Sequence, residues 1–296
     1  MSWTALMLVG ALALAGQDGA TTSGDTGPVV DLGEVRVDAT LEQRATEFVR
    51  QAAEPPRNRR MARWNQDICI RVANMDARYA QFMIDRISLM AAGLGLRPGE
   101  PGCRPNIIIA ATDDGPVMAT ALANEMESDM RPVLGVSDKG RAAFQSFQTS
   151  DAPVRWWHVS LPYEVDTGAI ALGMVGVRQV SRIRATTRED LAWVSIILDV
   201  EKIGKVPFAA LSDYVGMVVL TQADSDADMT DYDTILNLFA TDQRSAVMSR
   251  WDRDYLAALY TARRDRLRQS SLNRDVASRL VERQRRPQPE PVMDRP

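Results

Sequence analysis

The sequence predicts an α/β protein, with α+β as the alternative, in which helices pack on a mixed sheet. Two observations support this class. Segments with strand and helix patterns alternate between 67 and 112, and three further strand-like segments then precede several helices. Hydrophobic residues make up 45% of the chain and charged residues 25%, which is ordinary for a globular protein. We expect one α/β domain over 61–262, with loose tails at both ends.

The first residues carry the pattern of an export signal. Trp3 to Ala15 form an apolar run that ends in Ala-Leu-Ala, which fits a small-x-small cleavage site. The run is shorter than the ~20 residues that cross a bilayer. We therefore predict a cleaved signal peptide over 1–15, a disordered segment over 16–39 and a periplasmic or secreted location. An uncleaved anchor is the alternative.

The next segment, 40–60, is predicted to be a helix and a linker. Thr40 has the side chain of an N-cap before "LEQRATEFVRQAA", and "EPPRNRR" ends the helix. Proline stops it because this residue has no backbone donor and restricts the residue before it.

The two cysteines, Cys69 and Cys103, lie in a predicted βαβ crossover. A strand pattern at 67–72, an Asp-capped helix pattern at 76–96 and a β-branched run at 105–112 follow one another. Parallel strands would place both cysteines at the same end of the sheet. In an oxidising compartment such a pair usually forms a disulfide. Two free thiols and a metal site are the alternatives.

The rest of the chain reads as helices and strands of ordinary length. The helix at 207–222 is apolar on most of its surface, which predicts that it is buried. The other predicted helices are 116–130, 138–148 and one beginning at Trp251, and the other predicted strands are 153–162, 168–180 and 191–200.

The C-terminal segment, 263–296, is basic within an acidic chain. It carries ten Arg against five acidic residues, whereas the whole chain has a net charge of −4. We predict an Arg-rich helix followed by a Pro-rich tail. The helix at 263–286 is either solvated, docked on a protein partner, or laid on an anionic membrane surface. The net charge gives no reason to expect nucleic-acid binding.

The single histidine, His158, excludes several classes of enzyme. Zinc hydrolases with an H-E-x-x-H motif need two imidazoles one helical turn apart, and this chain has one in total. The sequence also has no phosphate-binding glycine motif, so we predict no cofactor. His158 lies beside Trp156 on a predicted strand face, which favours a structural role.

One acidic loop has the spacing of a calcium site. Asp224, Asp226 and Asp228 stand in D-x-D-x-D order, but Met229 occupies the position of the usual glycine. Ile235 replaces the glutamate that normally ends such a loop. The three aspartates are therefore candidate calcium ligands, with a solvated acidic loop as the alternative.

Five stretches recur in an order that resembles an uncharacterised family of exported alphaproteobacterial proteins. They are "ARWNQDICIRV", "GCRPNIIIA", "SRIRATTREDLAWVSIILDV", "VPFAALSDYVGMVVLTQ" and "WDRDYLAALY". The last two also resemble, more distantly, exported zincin-type metallopeptidases. In that comparison the two histidines and the glutamate of the metal motif fall on Ser212, Gly216 and Asp213. The resemblance thus implies a zincin-like scaffold without its metal ligands.

These observations favour an exported, non-catalytic binding or envelope-associated factor with an unknown protein partner. One alternative is a degenerate or metal-independent hydrolase with a cleft beside the 207–222 helix, for which Ser212 and Asp213 are the candidate residues. The other is a membrane-surface or assembly protein that acts through 263–286.

Overall fold

Four strands form one mixed sheet in the computed structural model, which describes residues 40–134, 136–172, 184–240 and 247–287. The predicted α/β class is confirmed. The elements in chain order are α1 Leu41–Gln51, β1 Ile70–Ala73, α2 Ala77–Gly93, β2 Ile107–Thr112, α3 Gly115–Glu125, α4 Glu127–Met130, α5 Arg141–Thr149, β3 Val154–Glu164, β4 Thr187–Asp199, α6 Val200–Ile203, α7 Phe208–Leu220, a 3-10 turn at Ile235–Asn237, α8 Arg250–Thr261 and α9 Gln269–Arg285.

The sheet has the order β1-β2-β4-β3. Strands β1, β2 and β4 are parallel, with Ile70 opposite Ile107 and Ile107 opposite Val194. Parallel neighbours need crossover connections, and helix α2 supplies the first of them. Strand β3 runs antiparallel to β4 and is the outermost described strand on that side.

The predicted disulfide between Cys69 and Cys103 is confirmed. Their Cα atoms lie 6.0 Å apart, at the end of the sheet where β1 and β2 begin. The Asn106 side chain accepts a hydrogen bond from the Cys69 amide at 2.7 Å, which fixes the approach to β1. Closing a loop of this size should stabilise the fold by about 4 kcal/mol in the chain-entropy model. A formed disulfide is compatible with an extracytoplasmic location.

Helices cover both faces of the sheet. The larger apolar cluster lies between one face and helices α1, α2, α7, α8 and α9, and helix α7 is buried from Ala210 to Leu220. The smaller cluster lies on the other face, where Trp157 and Val159 of β3 contact α3, α4 and α5. Buried apolar area on both faces is the main stabilising term for such a layered fold.

The terminal helices α1 and α9 are part of this packing. Helix α1 begins at Thr40, whose side chain and that of Gln43 cap each other's backbone N–H groups. Helix α9 packs on α1 and α8, and buries the apolar side that includes Val276 and Leu280. That side of the 263–286 segment therefore faces other helices of the chain.

Some predicted elements differ, and others lie outside the described residues. The predicted helix over 116–130 is divided at Met126, where the backbone leaves helical geometry between α3 and α4. The predicted signal peptide (1–15), disordered segment (16–39), most of the 168–180 strand and the end of the Pro-rich tail lie outside the described residues. Among the described helices, none combines the length and the apolarity that a bilayer crossing requires.

Candidate functional site: a cavity at the open edge of strand β3

The outer side of strand β3 has backbone groups that no described residue pairs with. The amide of Asp199 donates to the carbonyl of Pro153 at 2.9 Å, so the odd-numbered residues of this part of β3 bond to β4. In an antiparallel ladder the even-numbered residues that alternate with them point their N–H and C=O groups away from β4. Trp156 and His158 therefore present their backbone groups at the edge of the sheet.

Described residues cover the later part of this edge. The amide of Ser160 donates to Ser137 at 2.9 Å, and the carbonyl of Pro162 accepts from Ala171 at 2.8 Å. Within the described part of the chain, no group forms a hydrogen bond with the backbone N–H or C=O of Trp156 or His158. Among the residues that the structure describes, the stretch of the edge left open is thus 154–158.

A cavity of about 560 Å³ adjoins this open stretch. Helix α5 forms one wall, and the loop that follows α7 forms the other. Side chains around the cavity include those of Lys139, Ser146, Phe147, Tyr214, Asp226 and Phe239. The volume lies in the range of ligand sites in proteins.

Three aromatic rings form the apolar side of the cavity. Trp156 and Tyr214 lie with ring centres 6.1 Å apart, and Tyr214 and Phe239 lie 5.1 Å apart, both in edge-on geometry. The indole of Trp156 also donates to the Ala223 carbonyl at 3.0 Å. These contacts hold the wall in place before any ligand arrives.

His158 contributes a neutral imidazole to the cavity. Its Nε2 lies 2.9 Å from the Val218 carbonyl oxygen. Because a carbonyl can only accept, Nε2 carries the proton and Nδ1 is left as an acceptor. Burial lowers the pKa of His158 to about 4, and the positive charge of Lys139 acts in the same direction. The ring is therefore uncharged at neutral pH.

Two charged side chains that line the cavity, Glu54 and Lys139, form a cluster with the adjacent Asp224. The bridge between Ala53 and Ala223 brings the segments on either side of it together, so that the Glu54 amide donates to Gln222 at 3.1 Å. Lys139 Nζ forms an ion pair with the Glu54 carboxylate. Burial raises the pKa of Asp224, and the adjacent Glu54 carboxyl adds to this effect.

The candidate hydrolase residues lie elsewhere on α7. The hydroxyl of Ser212 donates to the Phe208 carbonyl at 2.8 Å within the helix. Asp213 accepts two hydrogen bonds from Arg86 of α2, at 2.5 and 2.7 Å. Gly216 faces Met90, which is also on α2. This side of α7 therefore packs towards α2, and the hydrolase interpretation stays a prediction.

The candidate calcium ligands bond to their own loop. Asp224 accepts from the Asp226 amide at 3.0 Å, and Asp228 accepts from the amide and hydroxyl of Thr230 at 3.1 and 2.6 Å. Among the described residues, no three His, Cys, Asp or Glu side chains are grouped as metal ligands would be. Asp226 and Asp228 do line the cavity, so the loop contributes acidic groups to it.

Comparison of the chain with family models, with curated proteins and with solved structures finds no match. The site must therefore be interpreted from its own geometry.

Proposed function

We propose that this chain is an exported, non-catalytic binding protein that takes an extended peptide into the cavity beside β3. The observation that carries the proposal is the open stretch of edge at 154–158. An extended peptide there would add a fifth strand to the sheet and pair with the free backbone groups of Trp156 and His158. Strand addition needs donors and acceptors at alternate residues, which is how these groups are arranged.

The cavity also provides contacts for the peptide's side chains. The aromatic wall offers apolar surface, and Nδ1 of His158 offers an acceptor. Edge strands left open in this way tend to aggregate, and proteins usually cover or charge them. Here helix α5 and the 222–240 loop flank the open edge, and such cover is one way in which proteins protect an edge strand.

The disulfide supports the exported, periplasmic or secreted location, because such bonds persist in oxidising compartments. The zincin-like scaffold remains part of the proposal. In it, α7 takes the place of the metal helix, and Ser212 and Gly216 stand where the imidazoles would be.

The proposal can be tested by filling the cavity. Ser146 is exposed, lies on α5 and lines the cavity, whereas the adjacent Gln145 is exposed and does not line it. Wild-type protein and the variants Ser146→Trp and Gln145→Trp are each incubated with a pool of random-sequence decapeptides, and bound peptide is recovered and quantified. We expect wild type and Gln145→Trp to retain peptide and Ser146→Trp to lose it. No retention by wild type, or equal retention by both variants, would overturn the proposal.

A further inference from the structure

A second region of the molecule collects positive charge with too few carboxylates to balance it. It lies where the 59–63 segment, the start of β4 and the 263–268 loop meet around a small recess. We call it the arginine cluster, and it consists of Arg59, Arg60, Arg63, Arg188 and Arg264. Two acidic side chains, Glu189 and Asp190, lie among these five guanidinium groups.

Three of the arginines share the two carboxylates. Arg188 Nε lies 3.0 Å from Asp190 Oδ2. Glu189 Oε1 lies 3.5 Å from Arg59 and 3.8 Å from Arg60. The other oxygen of Glu189, Oε2, is buried without a hydrogen-bond partner among the described residues.

The remaining two arginines have no carboxylate in contact. Arg63 is only 8% exposed and donates to two backbone carbonyls, those of Leu259 and Ala262. Arg264 is exposed, and no described residue forms a hydrogen bond or ion pair with it. Its neighbour Arg263 lines the same recess but is paired with Asp265 at 2.9 Å.

Burial is the main cause of the pKa shifts in the arginine cluster, and the neighbouring cations add to it. The pKa of Arg63 is lowered to about 10, mainly by burial, and the charge of Arg264 contributes to this shift. Burial also lowers the pKa of Arg60, and it raises the pKa of Glu189 and Asp190. Each of these shifts disfavours charge inside the cluster, and an added anion would relieve the repulsion among the guanidinium groups.

We propose that the arginine cluster binds a phosphoryl oxyanion at the mouth of its recess. The recess itself has a volume of about 20 Å³, which is room for one water and not for a phosphate. The anion would lie outside it, where exposed Arg264 can donate to two oxygens at once. Guanidinium forks match phosphate in shape, and a dianion balances the excess positive charge better than a single carboxylate does.

Two sources could supply this chemistry in an exported protein: free inorganic phosphate and the headgroup of an anionic phospholipid. The surface is open beside Arg263 and Arg264, so either could reach it. This inference does not depend on the peptide site, because the arginine cluster and the β3 cavity share no lining residue.

The test uses the full exported chain and two variants of equal charge. Arg264→Gln removes the guanidinium that has no ion-pair partner, and Arg71→Gln removes an exposed arginine from the opposite edge strand, β1. Binding of inorganic phosphate is measured by calorimetry against chloride at constant ionic strength. Co-sedimentation is measured with phosphatidylglycerol vesicles and with phosphatidylcholine vesicles.

We expect saturable binding of phosphate, of phosphatidylglycerol vesicles, or of both, by wild type and Arg71→Gln. Arg264→Gln should bind about tenfold more weakly, since one charge-assisted contact contributes about 1.4 kcal/mol or more. Binding to phosphate alone identifies the free anion as the source, and binding to phosphatidylglycerol vesicles alone identifies the lipid headgroup. The absence of both, or an equal loss in the two variants, would overturn the inference.

Discussion

His158 shows how much one side chain can report about this fold. It is the only histidine in the chain, so any signal from an imidazole belongs to it. The sequence places it on a strand beside Trp156, but it does not reveal that the ring donates to a carbonyl of α7. That contact joins residues 60 positions apart, and sequence pattern has no access to contacts at that separation.

Protonation of His158 should make stability depend on pH. Its pKa is about 4 in the folded chain against an ordinary value of 6.5, so the unfolded chain binds a proton first as pH falls. The stabilising contribution is complete above pH 6.5 and is lost progressively down to pH 4, by about 3 kcal/mol at most. Chemical denaturation across this range measures the loss.

The control for this prediction is His158→Gln, which keeps a donor for the Val218 carbonyl but does not titrate. Burial raises the pKa of carboxyl groups such as those of Asp252 and Glu189. Their protonation stabilises the folded state as the pH falls, and it does so in both proteins. The difference between the two curves isolates the histidine. An NMR titration midpoint for His158 near 6.5 would contradict the neutral, buried ring.

At the scale of elements, local sequence patterns carried most of the information about where helices and strands form. The Thr40 cap, the crossover between β1 and β2 and the buried helix α7 could all be predicted, because caps and hydrophobic period act over a few residues. The break at Met126 was not predicted, since no glycine or proline marks it. The antiparallel pairing of β3 was also inaccessible, because it depends on which distant strand becomes its neighbour.

The start of helix α3 should tolerate no side chain at Gly115. A Cβ atom there would overlap the guanidinium of Arg155 and lie 2.9 Å from Asp199 Oδ2, and both of those side chains are buried. Gly115→Ala should therefore destabilise the protein by about 2 kcal/mol through overpacking. Gly93→Ala, at the end of α2, meets nothing within 4 Å and should be neutral or slightly stabilising. Equal free energies of unfolding for the two variants would refute this packing.

Helix α9 should behave as part of the core. Leu280 is fully buried against its neighbours, whereas Leu267, just before the helix, is 46% exposed. Leu280→Ala should lower the free energy of unfolding by about 2–5 kcal/mol, and Leu267→Ala by less than about 1 kcal/mol. A small effect of Leu280→Ala would mean that α9 is detached in solution. Its apolar side would then be free for the membrane or partner contact that the sequence suggests.

At the scale of the whole molecule, the disulfide could be predicted and the candidate site could not. Cys69 and Cys103 are the only cysteines, and the crossover between them defines one geometry. The cavity, in contrast, is assembled from β3, α5 and two loops that are far apart in the chain. Glu54 and Lys139 meet in its lining although 85 positions separate them, and neither belongs to a recognisable motif.

The arginine cluster, like the cavity, is assembled from segments that are far apart in the chain. The sequence shows an excess of arginine after Ala262, and it suggests a basic helix. In the fold, Arg264 in the loop before α9 lies near Arg63 and Arg188 from other segments. Charge counted along the chain thus indicated Arg264, but not the arginines of other segments that share its surface.

Residue-resolved amide exchange tests the open edge of β3 most directly. In the free protein, the amide protons of Trp156 and His158 should exchange at least ~100-fold faster than those of Arg155 and Trp157, which bond to β4. When decapeptides from the random pool are bound, the two fast amides should become protected while their neighbours stay as they were. Slow exchange of Trp156 and His158 in the free protein, or unchanged fast exchange with peptide bound, would contradict strand addition.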